Sequence, residues 1–544
     1  MATTMAVNRV DDEVTPLLGS GPAGDDTKSA TIRWSPRNIG TAVIIAVLIF
    51  IQGINISGLT TIQGAIATDL HALSKASWLI SSFVIAGSST QPLFGRLCKI
   101  FSPRICLFVS AILFSIGLVV VALAPSFAVF CTGRVLSGIG SGGIISCTLI
   151  IILDLVSEQR RGLGVGLVNA GFTMGVSLGA VIYGGLIEIT GWRELFLAQA
   201  PIPLVAGIAA LFVIPKTADT VDETEPMSHR LAKIDYLGVI TLTTAILLFL
   251  ISLASTQIAV IPLLLSVPCA VLFLLVEAKF AADPIIPLSV LRSRGALLSC
   301  LATTAVMVSR WSVLFYSPVY ALAIREWAPS LAGTMLIPAN LGFAVGSIIV
   351  GWLFIRDAKS YYLSSLISII SFVITIFALS RVLSPTLPAA IFMGTIFLNG
   401  LFTGAILNYG FLHALYLSVS SNTFIVSSLM ATFRGFGASF GSSIGGGIFA
   451  RGLQASYLAQ REAHGLAPDQ DLLDQLLGSP GIVEKLTGVE HEIALQSYVD
   501  GTQGLFLSMG FIGIVAIALQ AGTGWAAPPQ KNEQQQQQQQ DEEA

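Results

Sequence analysis

The feature that most constrains the fold of this chain is a series of long apolar runs spread along most of its length. About 20 consecutive apolar residues cross a bilayer as a helix. The runs are continuous and lack the two-residue alternation of a membrane barrel. They predict an all-α polytopic membrane protein with about fourteen transmembrane helices, at roughly 38–60, 76–96, 104–124, 127–153, 163–187, 195–214, 236–254, 257–277, 296–322, 331–355, 361–381, 387–415, 423–450 and 502–523.

Charge supports this class and predicts an orientation. Only 11% of the 544 residues are charged, against about 25% in a typical soluble domain, and the net charge of −3 does not indicate a nucleic-acid partner. Lys and Arg concentrate before the first run and after the even-numbered runs, which predicts that these segments and both termini are cytoplasmic. The basic residues that set this orientation are Arg33, Arg37, Arg96, Lys99, Arg104, Arg160, Arg161, Lys216, Arg230, Lys233, Lys279, Arg292, Arg294, Arg356 and Lys359.

An internal repeat organises the runs. Glycines four residues apart occur in the fifth run and again in the thirteenth, and Gly-Arg-Leu at 95–97 matches Gly-Trp-Leu at 351–353. Both matches relate run n to run n+8, which predicts two pseudo-symmetric six-helix bundles with two helices inserted between them, as in secondary transporters. The repeated glycines are Gly171, Gly175 and Gly179 in the first half and Gly437, Gly441 and Gly445 in the second.

These patterns divide the chain into eight segments. Two are polar tails, at 1–36 and 524–544, the second rich in Gln, and both are predicted to be disordered and cytoplasmic. The others are a six-helix bundle at 37–214, a cytoplasmic loop at 215–234, the inserted helices at 235–279, five helices of the second bundle at 280–450, a long acidic non-cytoplasmic loop at 451–499 and the last helix at 500–523.

Several short motifs, in this order and spacing, resemble the major facilitator superfamily in its fourteen-helix drug:proton antiporter branch. Two further stretches are similar to fungal vacuolar basic amino acid and multidrug transporters, Ser317-Pro318-Val319-Tyr320 and Gly342 to Gly351. The motifs that carry the wider resemblance are Arg134 to Gly142, Gly171 to Gly185, Trp192-Arg193 with Phe196 and Pro201, Asp235 to Gly238, and Asp283 to Pro287.

The resemblance implies alternating access, a small-molecule substrate, and a coupling proton or exchanged ion. It also implies that the loop after the second helix, with Gly95, Lys99 and Arg104, controls the conformational change. The chain departs from the family pattern at several positions, including Ser102-Pro103 in the same loop and Ala180 in the fifth helix. Lys99 stands where the loop usually carries an acid, and Asn55 stands where the first helix usually carries one.

Polar groups inside the runs are candidates for function, because charge within a bilayer is costly. Counting at 1.5 Å per residue places Asn55 and Arg134 at similar depths, so we expect them to hydrogen-bond. Arg310 lies near the middle of the ninth run, which matches the first run in the repeat. Arg434 is expected to extend toward the inner membrane surface. The remaining candidates for substrate contact or coupling are Asn169, Tyr316, Asn340 and Asn408.

The candidate set holds arginines and amides and no mid-run acid, which favours a neutral or anionic solute. We therefore expect a secondary transporter of a drug or secondary metabolite in a fungal membrane. Two alternatives stay open: a vacuolar amino acid transporter and a transport-dead membrane sensor. The chain lacks GxxxxGK[ST] and HExxH, so no catalytic residue, cofactor or metal is expected.

One more motif bears on location. Glu13, Leu17 and Leu18 in the N-terminal tail resemble an acidic dileucine sorting signal that a cytosolic adaptor protein reads. It favours the vacuolar or endosomal membrane, with the plasma membrane as the alternative.

Overall fold

The computed structural model describes residues 36–155, 161–214, 235–254, 258–279, 293–354, 360–417 and 423–524. Within them, fourteen long helical segments follow one another, and none of these residues forms a strand. They are α1 (Pro36–Asp69), α2 (Ser77–Ile100), α3 (Pro103–Ala122), α4 (Phe127–Leu155), α5 (Arg161–Thr190), α6 (Trp192–Val213), α7 (Tyr236–Ala254), α8 (Val260–Lys279), α9 (Arg294–Ile324), α10 (Pro329–Ile349), α11 (Tyr362–Val382), α12 (Ala389–Tyr416), α13 (Thr423–Ala463) and α14 (Val489–Ala521).

Twelve of these segments are long and apolar enough to cross a membrane; α2 and α13 are the two that fall short. Both lie against other helices, α2 against α4 and α13 against α9 and α14. Small and polar residues are tolerated there because helices that pack closely in lipid favour them. The predicted all-α polytopic membrane protein is confirmed. We call the side on which α1 begins, predicted to be cytoplasmic, the inner side, and the opposite side the outer side.

The repeat is visible in how glycines bring helices together. A methyl group on Gly138 of α4 would collide with the carbonyl oxygen of Phe83 in α2, and one on Gly400 of α12 would collide with that of Ala339 in α10. Glycines four residues apart share one helix face, so each provides a smooth surface for its neighbour. The same relation holds between α1 and α5 and between α9 and α13, where Gly175 meets Phe50 and Gly441 meets Val308.

The two halves, α1–α6 and α9–α14, meet along two seams. In one, α5 packs on the start of α10, where Gly184 lies directly against the carbonyl of Pro329. In the other, α13 packs on α2, where Ser88 Oγ donates to the carbonyl oxygen of Gly435 at 3.1 Å. The inserted helix α7 covers the second seam through Leu250, and α8 lies outside α7.

Residues between α13 and α14 form an ordered structure on the outer side. Here α13 continues to Ala463 and α14 begins at Val489, so the stretch between the two helices is shorter than the loop predicted at 451–499. It contains a short helix, Gln470–Gly478, capped by the Asp469 side chain, and a 3-10 turn, Pro480–Lys485. We call residues 469–485 the roof segment.

Candidate transport site

A cavity of about 430 Å³ lies between the two halves, toward the outer side. Both halves contribute walls, and the roof segment closes over it with Leu477 and Pro480. The volume lies within the range of pockets that hold small organic molecules. Its lining residues are Gln63, Lys75, Ala76, Trp78, Ile80, Ser81 and Phe127 from the first half, and Phe315, Tyr316, Val319, Ser442, Gly446, Phe449, Ala450, Leu477, Pro480 and Tyr498 from the second.

The lining combines aromatic rings with polar groups. Rings come from α2, α4, α9, α13 and α14, and the rings of Tyr316 and Phe449 lie 4.8 Å apart between centroids. Among the lining residues that the structure describes, Lys75 is the one charged side chain, and none is a carboxylate. Lys75 belongs to a 3-10 turn, Leu73–Lys75, between α1 and α2, and its ammonium lies 5.9 Å from the centre of the Phe127 ring. Such a lining suits a flat apolar solute with little or negative charge.

The roof segment is fixed to the second half. The hydroxyl of Tyr498 donates to the carbonyl oxygen of Leu476, and that of Tyr457 donates to the carbonyl oxygen of Asp469 at 3.0 Å. Toward the first half, two close contacts involve a glycine. A methyl group on Gly478 would lie 2.6 Å from Leu73, and one on Gly64 would lie 2.7 Å from Ser479 Oγ. The roof segment therefore belongs to one half and touches the other without a hydrogen bond among the contacts described.

In the first half, the predicted bond between Asn55 and Arg134 is confirmed. Nη1 of Arg134 donates to Oδ1 of Asn55 at 2.6 Å, and both residues have an exposed fraction of 0%. Nε of Arg134 donates to the carbonyl oxygen of Leu79 at 3.1 Å, and the guanidinium lies 4.3 Å from the centre of the Phe83 ring. The charge of Arg134 is thus held by neutral acceptors and an aromatic face.

This network continues into α5 and α6. Nδ2 of Asn55 donates to Oε1 of Gln199 at 3.4 Å, and Nε2 of Gln199 donates to the hydroxyl of Tyr183 at 2.7 Å. A polar path therefore joins α4, α1, α6 and α5. Since hydrogen-bonded polar groups in a low-dielectric interior are costly to separate, the path holds these helices together as one unit.

In the second half, Arg310 of α9 is held in a comparable way. Nη2 donates to the carbonyl oxygen of Ala339 at 3.0 Å, and the two amide oxygens of Asn340 and Asn399 each lie 3.4 Å from a guanidinium nitrogen. Nδ2 of Asn340 in turn donates to Oγ of Ser177 in α5 at 3.0 Å. The network of Arg310 therefore reaches across to the first half.

The register of the glycine contacts shows how the two networks are related. Phe50 and Val308 occupy equivalent places, so Arg310 of α9 corresponds to Gln52 of α1. Nε2 of Gln52 donates to the carbonyl oxygen of Ser141 in α4 at 2.7 Å. The buried arginine of each network therefore comes from a different helix: Arg134 from α4 in the first half and Arg310 from α9 in the second.

Arg434 differs from its prediction. Instead of extending to the membrane surface, its Nη2 donates to Oδ1 of Asn169 in α5 at 3.1 Å. One of the two residues belongs to each half, so the bond crosses the interface. It lies in the inner part of α5 and α13, away from the roof segment, and so bridges the halves on the side opposite the outer closure.

Among the other candidates from the sequence, Tyr316 lines the cavity, whereas Asn55, Arg134, Arg310 and Asn340 are not among its lining residues. Asn408 bonds to the carbonyl oxygens of Gly404 and Ser347, joining α12 to α10. In the predicted control loop, Gly95 has open space around it, Arg104 is half-buried at the start of α3, and the side chain of Lys99 is outside the described part of the chain. Glu13, Leu17 and Leu18 are likewise outside it.

Sequence reasoning missed Lys75 and Trp78 as cavity residues, and Asp69 as a partner of the Trp-Arg motif. Arg193 Nη1 pairs with Asp69 Oδ2 at 2.7 Å, and Trp192 Nε1 donates to the same oxygen at 3.2 Å. The available signal for Lys75 was a lone basic residue on the side where basic residues are scarce. Nothing in the local sequence distinguished Trp78 from an ordinary lipid-facing aromatic.

Comparison with known proteins decides the family, because the model of the Major Facilitator Superfamily matches residues 45–442. The chain belongs to the major facilitator superfamily. The three relatives described next are named as an efflux pump or as transporters.

Three relatives illustrate the range. The chain is 30% identical over 340 residues to the efflux pump dotC of Dothistroma septosporum, covering 60% of this chain and 57% of the pump. It is 25% identical over 487 residues to the MFS transporter L2 of a Phoma species, covering 84% and 78%. It is 28% identical over 324 residues to the vacuolar basic amino acid transporter 1 of Saccharomyces cerevisiae, covering 57% and 55%. The matches to dotC and the yeast transporter thus span little more than half of those proteins.

A solved structure agrees with the fold. A bacterial homologue of the human lysosomal transporter Spinster, in an inward-facing and occupied conformation, superposes with a TM-score of 0.56 and 15% identity. The match covers 91% of this chain and all of that one. At this identity the likeness shows the fold alone.

Proposed function

We propose that this protein is a secondary active transporter that moves a small organic solute, neutral or anionic, across a fungal membrane by alternating access. The observation that carries the proposal is the cavity between the two halves, walled by aromatic residues and by Lys75. Solute sites of secondary transporters lie at such repeat interfaces. The printed names of two relatives, efflux pump dotC and MFS transporter L2, support a transport role.

The contacts between the halves support alternation. On the outer side, the halves meet through glycine contacts at the roof segment and at Pro329, while the Arg434–Asn169 bond joins the halves on the inner side. In the proposed cycle, one set of contacts breaks while the other holds, and the solute enters the cavity from alternate sides. A coupling proton or an exchanged ion provides the driving force.

A vacuolar amino acid transporter is the second candidate, favoured by the likeness to the yeast vacuolar transporter. The two candidate functions require opposite charges on the residues that line the cavity. A basic amino acid is a cation and needs a carboxylate partner, whereas the cavity presents Lys75.

The test is uptake into proteoliposomes that contain the purified full chain. We expect saturable flux of a neutral or anionic aromatic solute and none of lysine or arginine. Saturable lysine or arginine uptake, unchanged in Arg310→Ala, would reject the proposal in favour of the amino acid carrier. Flux of no solute at all, with ligands still binding, would favour the sensor.

We further propose a vacuolar or endosomal location, set by the tail residues Glu13, Leu17 and Leu18 through a cytosolic adaptor. A fluorescent fusion should reach the vacuole with this signal intact and move to the cell surface in Leu17→Ala/Leu18→Ala. A surface location of the unaltered fusion would reject the sorting role.

A further inference from the structure

The walls of the cavity set the shape of its solute. Trp78 comes from α2, Tyr316 from α9, Phe449 from α13 and Tyr498 from α14, so aromatic rings face the space from both halves. Aromatic groups bind one another in offset-stacked or edge-to-face arrangements, which favour a flat π-system over a bulky aliphatic group. The backbone of Gly446 adds no side chain to the wall, which leaves room beside these rings.

The charges around the cavity set the sign of the solute. Lys75 forms no ion pair with any carboxylate in the described ranges, and neither do the buried guanidinium groups of Arg134 and Arg310. The acceptors of both arginines are amide and backbone oxygens. The two buried guanidinium charges are therefore compensated by dipoles, and Lys75 has no carboxylate partner among the described residues. In a low-dielectric region this charge attracts an anion and repels a cation.

Of these three cationic residues, Lys75 lines the cavity, whereas Arg134 and Arg310 do not. Its side chain is exposed, and its ammonium lies near the Phe127 ring on the outer side. A solute that enters between the aromatic walls from the outer side would meet this ammonium. Gln63, Ser81 and Ser442 supply neutral hydrogen-bonding groups on the remaining walls.

We propose that the solute is a flat aromatic carboxylate, bound between the aromatic walls with its carboxylate paired to Lys75, which selects for charge. This rests on the proposed transport function and names the substrate class of the same site. The proposal distinguishes three compounds of equal shape: an aromatic acid, its neutral amide and the corresponding amine.

The experiment measures binding of naphthoate, naphthamide and naphthylmethylamine to the full chain in nanodiscs by calorimetry. We expect naphthoate to bind tightest and the amine weakest. In Lys75→Gln the affinity for naphthoate should fall about threefold to tenfold, the range of a partly exposed charge pair, while the affinity for naphthamide stays the same. Lys75→Glu should bring the amine to the top of the order.

Lys485→Gln is the matched control, because Lys485 is an exposed lysine of the roof segment that does not line the cavity. Amine binding as tight as naphthoate binding, binding of none of the three probes, or an equal loss for naphthoate and naphthamide in Lys75→Gln would overturn the proposal. Flux assays distinguish a failure of the proposed substrate class from a failure of the proposed transport function. Selective naphthoate binding without flux of any probe would contradict transport alone, while flux of naphthamide or the amine in preference to naphthoate would contradict the substrate class alone.

Discussion

The side-chain oxygen of Asn55 in α1 accepts a 2.6 Å hydrogen bond from Nη1 of Arg134 in α4, and both side chains are fully buried. A buried guanidinium is stable there because an amide, a backbone carbonyl and the Phe83 ring surround it. Losing one acceptor would leave charge without a partner in a low-dielectric region.

Asn55→Leu should therefore destabilise the protein by about 1.5–3 kcal/mol, the cost of removing a hydrogen bond to a buried charged group. Thermal unfolding in detergent would measure it. Asn55→Asp is the informative partner variant, because it keeps an oxygen for Arg134 and restores the acid usual in the family. We expect it to unfold like the parent and to make uptake more dependent on a pH gradient. Equal stability of Asn55→Leu and the parent would contradict the assigned role of the bond.

The bond between Arg434 and Asn169 should control opening on the inner side. Asn169→Ala removes the acceptor from one half, so we expect the inner part of the interface to separate more often. A cysteine substituted at Gln91, beside Gly435, would report this as faster labelling by a maleimide added from the inner side. Asn408→Ala serves as the comparison, because both hydrogen bonds described for Asn408 lie within the second half. Identical labelling rates in both variants would argue against a gating role.

Two adjacent glycines in α5, Gly184 and Gly185, provide a paired test of the seam between α5 and α10. A methyl group on Gly184 would collide with the carbonyl oxygen of Pro329, whereas one on Gly185 would meet nothing within 4 Å. Gly184→Ala should lower the unfolding temperature or the transport rate, because α5 and α10 can no longer approach as closely. Gly185→Ala should behave like the parent in both assays. Similar effects of the two changes would mean that helix propensity dominates over packing.

Tyr498 should hold the roof segment in place through its bond to the Leu476 carbonyl. Tyr498→Phe keeps the ring in the cavity wall and removes only the hydroxyl, so we expect faster hydrogen exchange of residues 469–485 with little change elsewhere. Tyr320→Phe is the matched control, since the Tyr320 hydroxyl has no hydrogen-bond partner within the described part of the chain. Unchanged exchange in Tyr498→Phe would show that apolar packing alone fixes the roof segment.

A further prediction concerns Lys99. It rests on the sequence and on the position of this residue in the last turn of α2. The family usually has an acid in this loop, which is thought to latch the two halves in one state. Lys99→Asp should change the transport rate more than the unfolding temperature, as measured by flux and by thermal unfolding of the same preparation. A rate equal to that of the parent would mean that Lys99 only sets topology.

The helices and their repeat were predictable because they depend on local patterns. Apolar runs located the helices, and the glycines at 171–179 and 437–445 marked the faces that pack. The Asn55–Arg134 bond followed from simple depth counting. These inferences need only the rise of a helix and the cost of charge in lipid.

The cavity and the Arg434 contact were not predictable in this way. Lys75, Trp78 and Phe449 lie far apart in the sequence and meet only when both halves pack together. Arg434 lies near the inner side, where a lone arginine normally reaches water, so its partner Asn169 depends on the tertiary arrangement of α5 and α13. The packing of the roof segment likewise depends on tyrosines of α13 and α14.

The attachment of the roof segment has a mechanical consequence. It is joined by short connections to α13 and α14, and its hydrogen bonds from Tyr457 and Tyr498 come from those same helices. Two of its close contacts with the first half, at Leu73 and Gly64, involve a glycine. We therefore expect the roof segment to act as a lid attached to one half only, so that it moves with the second half when the two halves separate.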